Sequence, residues 1–96
     1  MSDQGYVTRE TVTIVNQRGL HARASAKFVN AVSKLPEGIE VIVAKDGTDA
    51  NGASILGLMM LGAAKGDTVE LLVEGENAES VLAELAALVE AGFGED

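Results

Sequence analysis

The dipeptide Asp46-Gly47, set between the run Ile39 to Ala44 (IEVIVA) and the short segment Thr48 to Asn51, narrows the possible folds more than any other feature. Both of its residues tolerate the positive φ of a type I′ turn, so the β-branched run and the return segment are predicted to pair antiparallel. Everything else in the chain has to be built around that hairpin.

Upstream, Tyr6 to Val15 (YVTRETVTIV) is rich in Val, Thr and Ile with partial alternation, Val12 and Ile14 on one side and Thr11 and Thr13 on the other. It reads as a first strand, preceded by a polar stretch, Met1 to Gly5, expected to fray. After the turn "NQRG", Ser25, Phe28, Val29 and Val32 recur at helical spacing from Ala22 to Lys34, and Pro36 and Gly38 end the pattern. Downstream of the hairpin, Ser54 is a good N-cap for a second helix, "ILGLMMLGAA", expected to run up to Lys65-Gly66. Thr68 to Gly75 reads as a fourth strand. The last helix starts from Asn77 as its cap, carries Glu79 at its positive end and buries Val81, Leu82, Leu85, Leu88 and Val89. The order β-α-β-β-α-β-α predicts an α+β open-faced sandwich: a four-stranded, largely antiparallel sheet covered on one face by three helices, in a single domain spanning residues 1–96.

Ninety-six residues support one modest core and no deep enclosed cavity, so any chemistry is expected at the surface. Cysteine is absent and there is one histidine, which leaves out disulfides and thiolate chemistry and gives little from which to build a metal site; no cofactor is expected. No apolar run approaches the length of a signal peptide or a membrane span, so a cytoplasmic protein is expected, away from membranes. A formal charge of −8 with only three aromatic residues argues against nucleic-acid binding. The charge is unevenly spread. No Asp or Glu lies between Thr11 and Pro36, whereas Arg18, Arg23, Lys27 and Lys34 all do. Either this is a chance segregation or it makes a local positive field suited to an anion.

The lone histidine, His21, falls inside that window in "QRGLHARASAKF", at or next to the N-cap of the first helix. A helix N-terminus offers unpaired N–H groups and a partial positive charge to an anion. Arg23, one turn away or less, suits phosphate oxygens, Gly19 allows a tight approach, and Leu20 can anchor the loop. His21 is then either a structural cap or a nucleophile that captures a phosphoryl group; no acidic partner or serine nucleophile is identifiable near it in the sequence.

"GLHARASAKFV" resembles the active-site segment of the histidine-containing phosphocarrier (HPr) family of the bacterial phosphotransferase system, and "ASILGLMMLGAAKG" resembles that family's second signature, around a regulatory serine. The resemblance runs from about Thr8 to Phe93, and the "GF-ED" ending is similar to that of the nitrogen-related branch. It implies the fold inferred above, and a carrier that makes no net product: His21 accepts a phosphoryl group on Nδ1 from Enzyme I and passes it to an EIIA-type acceptor, Arg23 steadies the group, and Ser54 is the target of an HPr kinase/phosphorylase where one exists. The sequence departs from the family at Ala24, where the family has proline, and at Ser25, where it has alanine.

Ile55, Leu56, Leu58, Met59, Met60 and Leu61 place apolar residues on every side of a short helix, of which only one side can be buried, so an exposed patch is predicted. The candidate partner-binding set is Leu20, Ala24 and Lys27 around the histidine with Ile55, Leu56, Met59 and Met60 on this patch, in a monomer. Two other classes fit the residues less fully: a non-covalent regulatory adaptor switched at Ser54, and a small α/β domain that holds an anionic metabolite at a helix N-terminus.

Overall fold

A computed structural model describes residues 7–95. The expected fraying of residues 1–5 and the start of the first strand at Tyr6 lie outside them. Seven main elements follow in the expected order: β1 (Val7–Thr13), α1 (Ala22–Ser33), β2 (Glu40–Lys45), β3 (Thr48–Asn51), α2 (Ile55–Met60), β4 (Thr68–Glu74) and α3 (Ala78–Glu90), with a short 3-10 turn at Gly92–Gly94.

The strands form one sheet in the order β1-β4-β2-β3, every neighbouring pair antiparallel. Register follows from the alternation of apolar residues. Val12 opposes Val69, Val43 opposes both Leu71 and Ala50, and Val41 opposes Val73, so one face carries a continuous apolar layer. All of these side chains are buried. The opposite face carries Thr11 across from Glu70 and Arg9 within 3.5 Å of Glu70, which suits it to solvent. Lys45 and Thr48 close the hairpin around Asp46 (φ 51°) and Gly47 (φ 84°), the two positive values that a type I′ turn requires.

The helices lie over the apolar face. α3 packs on β1 and β4 through Val81, Leu82, Leu85 and Val89, together with the small residues Ala78 and Ala86; Leu88 is only partly buried at the margin. α1 contributes Ala24, Ser25 and Phe28 and packs against α2, which buries Leu58. Among the described residues no helix is long and apolar enough to cross a membrane.

Two local expectations need correction. The second helix stops at Met60 rather than reaching Lys65-Gly66, because Gly62 turns left-handed (φ 66°) and the N–H of Gly62 closes back on Met59 O. Asn77 precedes α3 but does not cap it through its side chain: its own backbone is left-handed (φ 62°, ψ 28°), and the extended geometry that aims a capping side chain at the first turn is lost.

Candidate functional site

His21 is the N-cap of α1, with extended backbone (φ −78°, ψ −176°), and its Nδ1 accepts a 3.3 Å hydrogen bond from the N–H of Arg23. Two close approaches deliver it there. Gly19 has φ 66° and lies so near the segment after α2 that a Cβ on it would fall 2.2 Å from Ala63 O. Leu20 then donates its N–H to Ala63 O at 2.9 Å and buries its side chain, and the Ser25 hydroxyl donates to Leu20 O at 3.2 Å. The chain around His21 is thus fixed on both sides by core contacts, while the imidazole itself stays partly exposed.

The other ring nitrogen has a partner that sequence proximity could not reveal. Glu95 places both carboxylate oxygens 3.1 Å from His21 Nε2. Its position is itself built: Asn16, buried in the "NQRG" turn, donates one amide hydrogen bond to Gly19 O (2.9 Å) and one to Glu95 Oε1 (3.1 Å). The Lys27 ammonium donates to Phe93 O at 2.9 Å, and the Phe93 ring is buried in the core. No acidic residue stands near His21 in the sequence, and the fold brings one to it from 74 positions away.

The hydrogen bond from His21 holds the Glu95 carboxyl below the ordinary glutamate range, against the partial burial that pushes it upward; the Asn16 amide and the nearby Lys27 charge add to the lowering. An ionised carboxylate can only accept, so the proton between the two groups belongs to Nε2. Nδ1 already accepts from Arg23 and carries none. This network assigns the Nε2–H tautomer, with the lone pair on Nδ1. Beside it opens a depression of ≈590 Å³ lined by Gln17, Arg18, His21, Arg23, Lys27, Gly94 and Glu95, in which three cationic side chains outnumber the one carboxylate. A nucleophilic nitrogen, a helix N-terminus and guanidinium groups around an open, polar hollow suit capture of a phosphoryl group better than hydrolysis of a bound substrate.

The remaining candidates divide. Leu20 and Ala24 are buried, Ala24 completely, so neither presents a side chain to a partner; both support the loop and helix from below. Lys27 ties down the tail as well as lining the hollow. Leu56 (68% exposed) and Met60 (76%) stand well out of the surface, with Ile55 and Met59 at 40% each, whereas Leu58 and Leu61 point inward. The apolar patch expected on α2 is present, joined to the histidine loop through Ala63. Ser54 caps α2, its Oγ accepting the Gly57 N–H at 2.9 Å, and is partly exposed. Asn16 and Glu95 are the residues that sequence reasoning missed. Asn16 looked like an ordinary turn residue, and the "FGED" ending carried no signal of where it would land.

Ala24 can be tested directly. Its N–H lies in the first turn of α1, where helix N–H groups lack intrahelical acceptors, so a proline there removes no helical hydrogen bond. Ala24→Pro is expected to change the urea midpoint of unfolding by the equivalent of less than about 1 kcal/mol. A much larger loss would show that the buried Ala24 methyl has no room around it for the ring.

Comparison with known proteins agrees with this geometry. The family described as "PTS HPr component phosphorylation site" matches residues 8–91. The chain is 42% identical over 87 residues to the phosphocarrier protein HPr of Neisseria meningitidis, covering 91% of this chain and 96% of that one. It is 37% identical over 89 residues to the phosphocarrier protein NPr of Escherichia coli, covering 92% and 97%. A crystal structure of HPr-C-His from Thermoanaerobacter tengcongensis superposes with a TM-score of 0.84 at 39% identity, over 93% of this chain and 98% of the other.

Proposed function

Because the chain belongs to the HPr family of phosphocarrier proteins of the phosphotransferase system, we propose that it takes a phosphoryl group from the phosphohistidine of Enzyme I on His21 Nδ1 and hands it to a histidine of an EIIA-type acceptor. The observation that carries this reading is the pairing of ring nitrogens: Nε2 is committed to Glu95, and Nδ1 holds a lone pair at the N-terminus of α1. Displacing the weak 3.3 Å bond from Arg23 frees that lone pair, and the Arg23 guanidinium, which lines the same hollow, takes up phosphoryl oxygens in this reading.

Incubating the protein with phosphoenolpyruvate and Enzyme I should place an acid-labile, alkali-stable phosphoryl group on it, transferable to an EIIA-type protein in a second step. No uptake under conditions that charge another HPr would sink the reading. Assays against sugar-branch and nitrogen-branch acceptors would separate the two kinds of carrier that the relatives represent.

The α2 patch is the docking face in this reading. Enzyme I and the acceptor must reach the same histidine in turn, and a surface of Leu, Ile and Met adapts to more than one partner. Leu56→Asp and Met60→Asp are expected to weaken transfer at least tenfold through KM, while the exposure of both side chains keeps the unfolding midpoint within about 0.5 kcal/mol of wild type. Unchanged kinetics in both variants would move the docking face elsewhere. Ser54 stands at the edge of this face, and a phosphoryl group added there by an HPr kinase would bring about −1.5 to −2 charge beside Ile55 and Leu56, opposing docking without refolding.

A further inference from the structure

Two polar side chains are buried among the described residues, Asn16 and Ser25, and they stand on either side of His21. Ser25 lies in the first turn of α1 with no exposed surface at all. A hydroxyl in such a place costs free energy unless it is hydrogen-bonded, and an alanine fills nearly the same space without that demand. What the hydroxyl does here is specific. Ser25 Oγ donates to Leu20 O at 3.2 Å, while the Ser25 N–H donates to His21 O at 2.9 Å. The second bond belongs to any helix. The first does not, and among the described residues no other donor reaches Leu20 O. One residue thus holds the carbonyls of both peptide units that flank the His21 α-carbon, and the Leu20 N–H is itself anchored to Ala63 O.

We propose that Ser25 is a positioning residue for phosphoryl transfer: by clamping both peptide units of His21 it fixes the direction of the histidine's Cα–Cβ bond, and with it the point from which Nδ1 meets phosphorus. This inference rests on the phosphocarrier reading of His21. In the transfer the Nδ1 lone pair forms the new N–P bond as the donor's N–P bond breaks and its electron pair returns to the donor nitrogen. Ser25 gives up no proton in that step; its part is geometric. Misplacing a reacting atom by about 1 Å can cost as much as about 100-fold in rate, so a loose helix entry is felt at the nitrogen. The same clamp makes sense of Ala24. A proline there would preset φ near about −65° and stiffen the first turn, whereas alanine leaves it freer. The Ser25 hydroxyl supplies that restraint from the next position, by tying the turn back to Leu20 O. A ring at position 24 and a hydrogen bond from position 25 are then interchangeable ways of holding one piece of backbone.

Four full-length proteins test this: wild type, Ser25→Ala, Ala24→Pro and the double variant. Single-turnover charging at rising concentrations of phosphorylated Enzyme I separates the maximal rate from the half-saturating concentration. Ser25→Ala is expected to lower the maximal rate by roughly three- to tenfold, the scale of one hydrogen bond, and to leave the half-saturating concentration within about twofold of wild type, since the α2 patch is untouched. Ala24→Pro alone should stay within about twofold of wild type, and the double variant should recover to within about twofold of it, the non-additivity of two restraints on one backbone. Amide hydrogen exchange reads the same clamp without any partner protein: the Leu20 N–H should exchange faster in Ser25→Ala and return toward wild type in the double variant. A wild-type maximal rate in Ser25→Ala, a loss confined to the half-saturating concentration, or the same fold-loss with and without Ala24→Pro would each overturn the role given to Ser25. Should Ser25→Ala not fold, Ser25→Cys, whose Sγ–H is a weaker donor of similar shape, takes its place in the cycle. Wild-type protein that never takes up phosphoryl would overturn the phosphocarrier reading instead, and Leu20 exchange would still decide whether Ser25 holds the histidine loop.

Discussion

His21→Ala should lower phosphoryl uptake from Enzyme I by at least about a thousandfold, to the background of the assay, while leaving the fold intact. No second imidazole and no hydroxyl lines the hollow beside Nδ1; its other residues are Gln, Arg, Lys, Gly and Glu95. The structural cost is small by comparison. Replacing an N-cap by alanine costs about 0.5–2 kcal/mol, and this cap bond is long, at 3.3 Å, so a value near the lower end is expected. Uptake is to be followed by acid-labile radiolabel and stability by urea titration on the same preparation. Label persisting on His21→Ala would place the accepting atom elsewhere. A variant that fails to fold would mean that the histidine is chiefly a cap, which is the alternative the bare sequence left open.

How that alternative was narrowed shows what a sequence of this kind does and does not carry. The order and type of the elements were legible because each rests on nearby residues: alternation in β1 and β4, the Asp46-Gly47 turn, and the apolar stripe of α3. The errors in the elements came from backbone conformation that side-chain pattern does not report. Gly62 ends α2 early, although the apolar run continues to Ala64, and Asn77, a good cap by type, sits in left-handed backbone that prevents capping. For the site, His21 and Arg23 were legible because both lie in one short segment at a helix start. Glu95 was not. It lies 74 positions from His21, and what brings the two together is the burial of Phe93, the Lys27 bond to its carbonyl and the Asn16 amide. Exposure was legible unevenly for a related reason: the exposed face of α2 followed from its excess of apolar residues, whereas the burial of Leu20 and Ala24 depends on how the loop seats against Ala63.

That seating gives the second large expected effect. Gly19→Ala should destabilise the protein by roughly 2–5 kcal/mol and carry phosphoryl uptake down with it, through two separable causes. The first is conformational: at φ 66° an L-residue with a side chain costs about 1–2 kcal/mol. The second is steric. A Cβ would sit 2.2 Å from Ala63 O and 2.8 Å from Ala64 Cα, both backbone atoms with no rotamer by which to escape, so one of the two loops has to move. Moving it stretches the Leu20 N–H bond to Ala63 O and the Asn16 bond to Gly19 O, each contributing about 0.5–1.5 kcal/mol, and the second of these also helps to place Glu95. Gly62 supplies the matched control. It has the same φ of 66°, and a Cβ added to it would meet nothing within 4 Å, so Gly62→Ala bears the conformational cost alone and should lose about 1–2 kcal/mol. The difference between the two urea midpoints therefore measures the close approach of the histidine loop to the α2 loop. Equal losses in the two variants would show that this approach relaxes freely, and that His21 is held by its own helix rather than by the neighbouring loop.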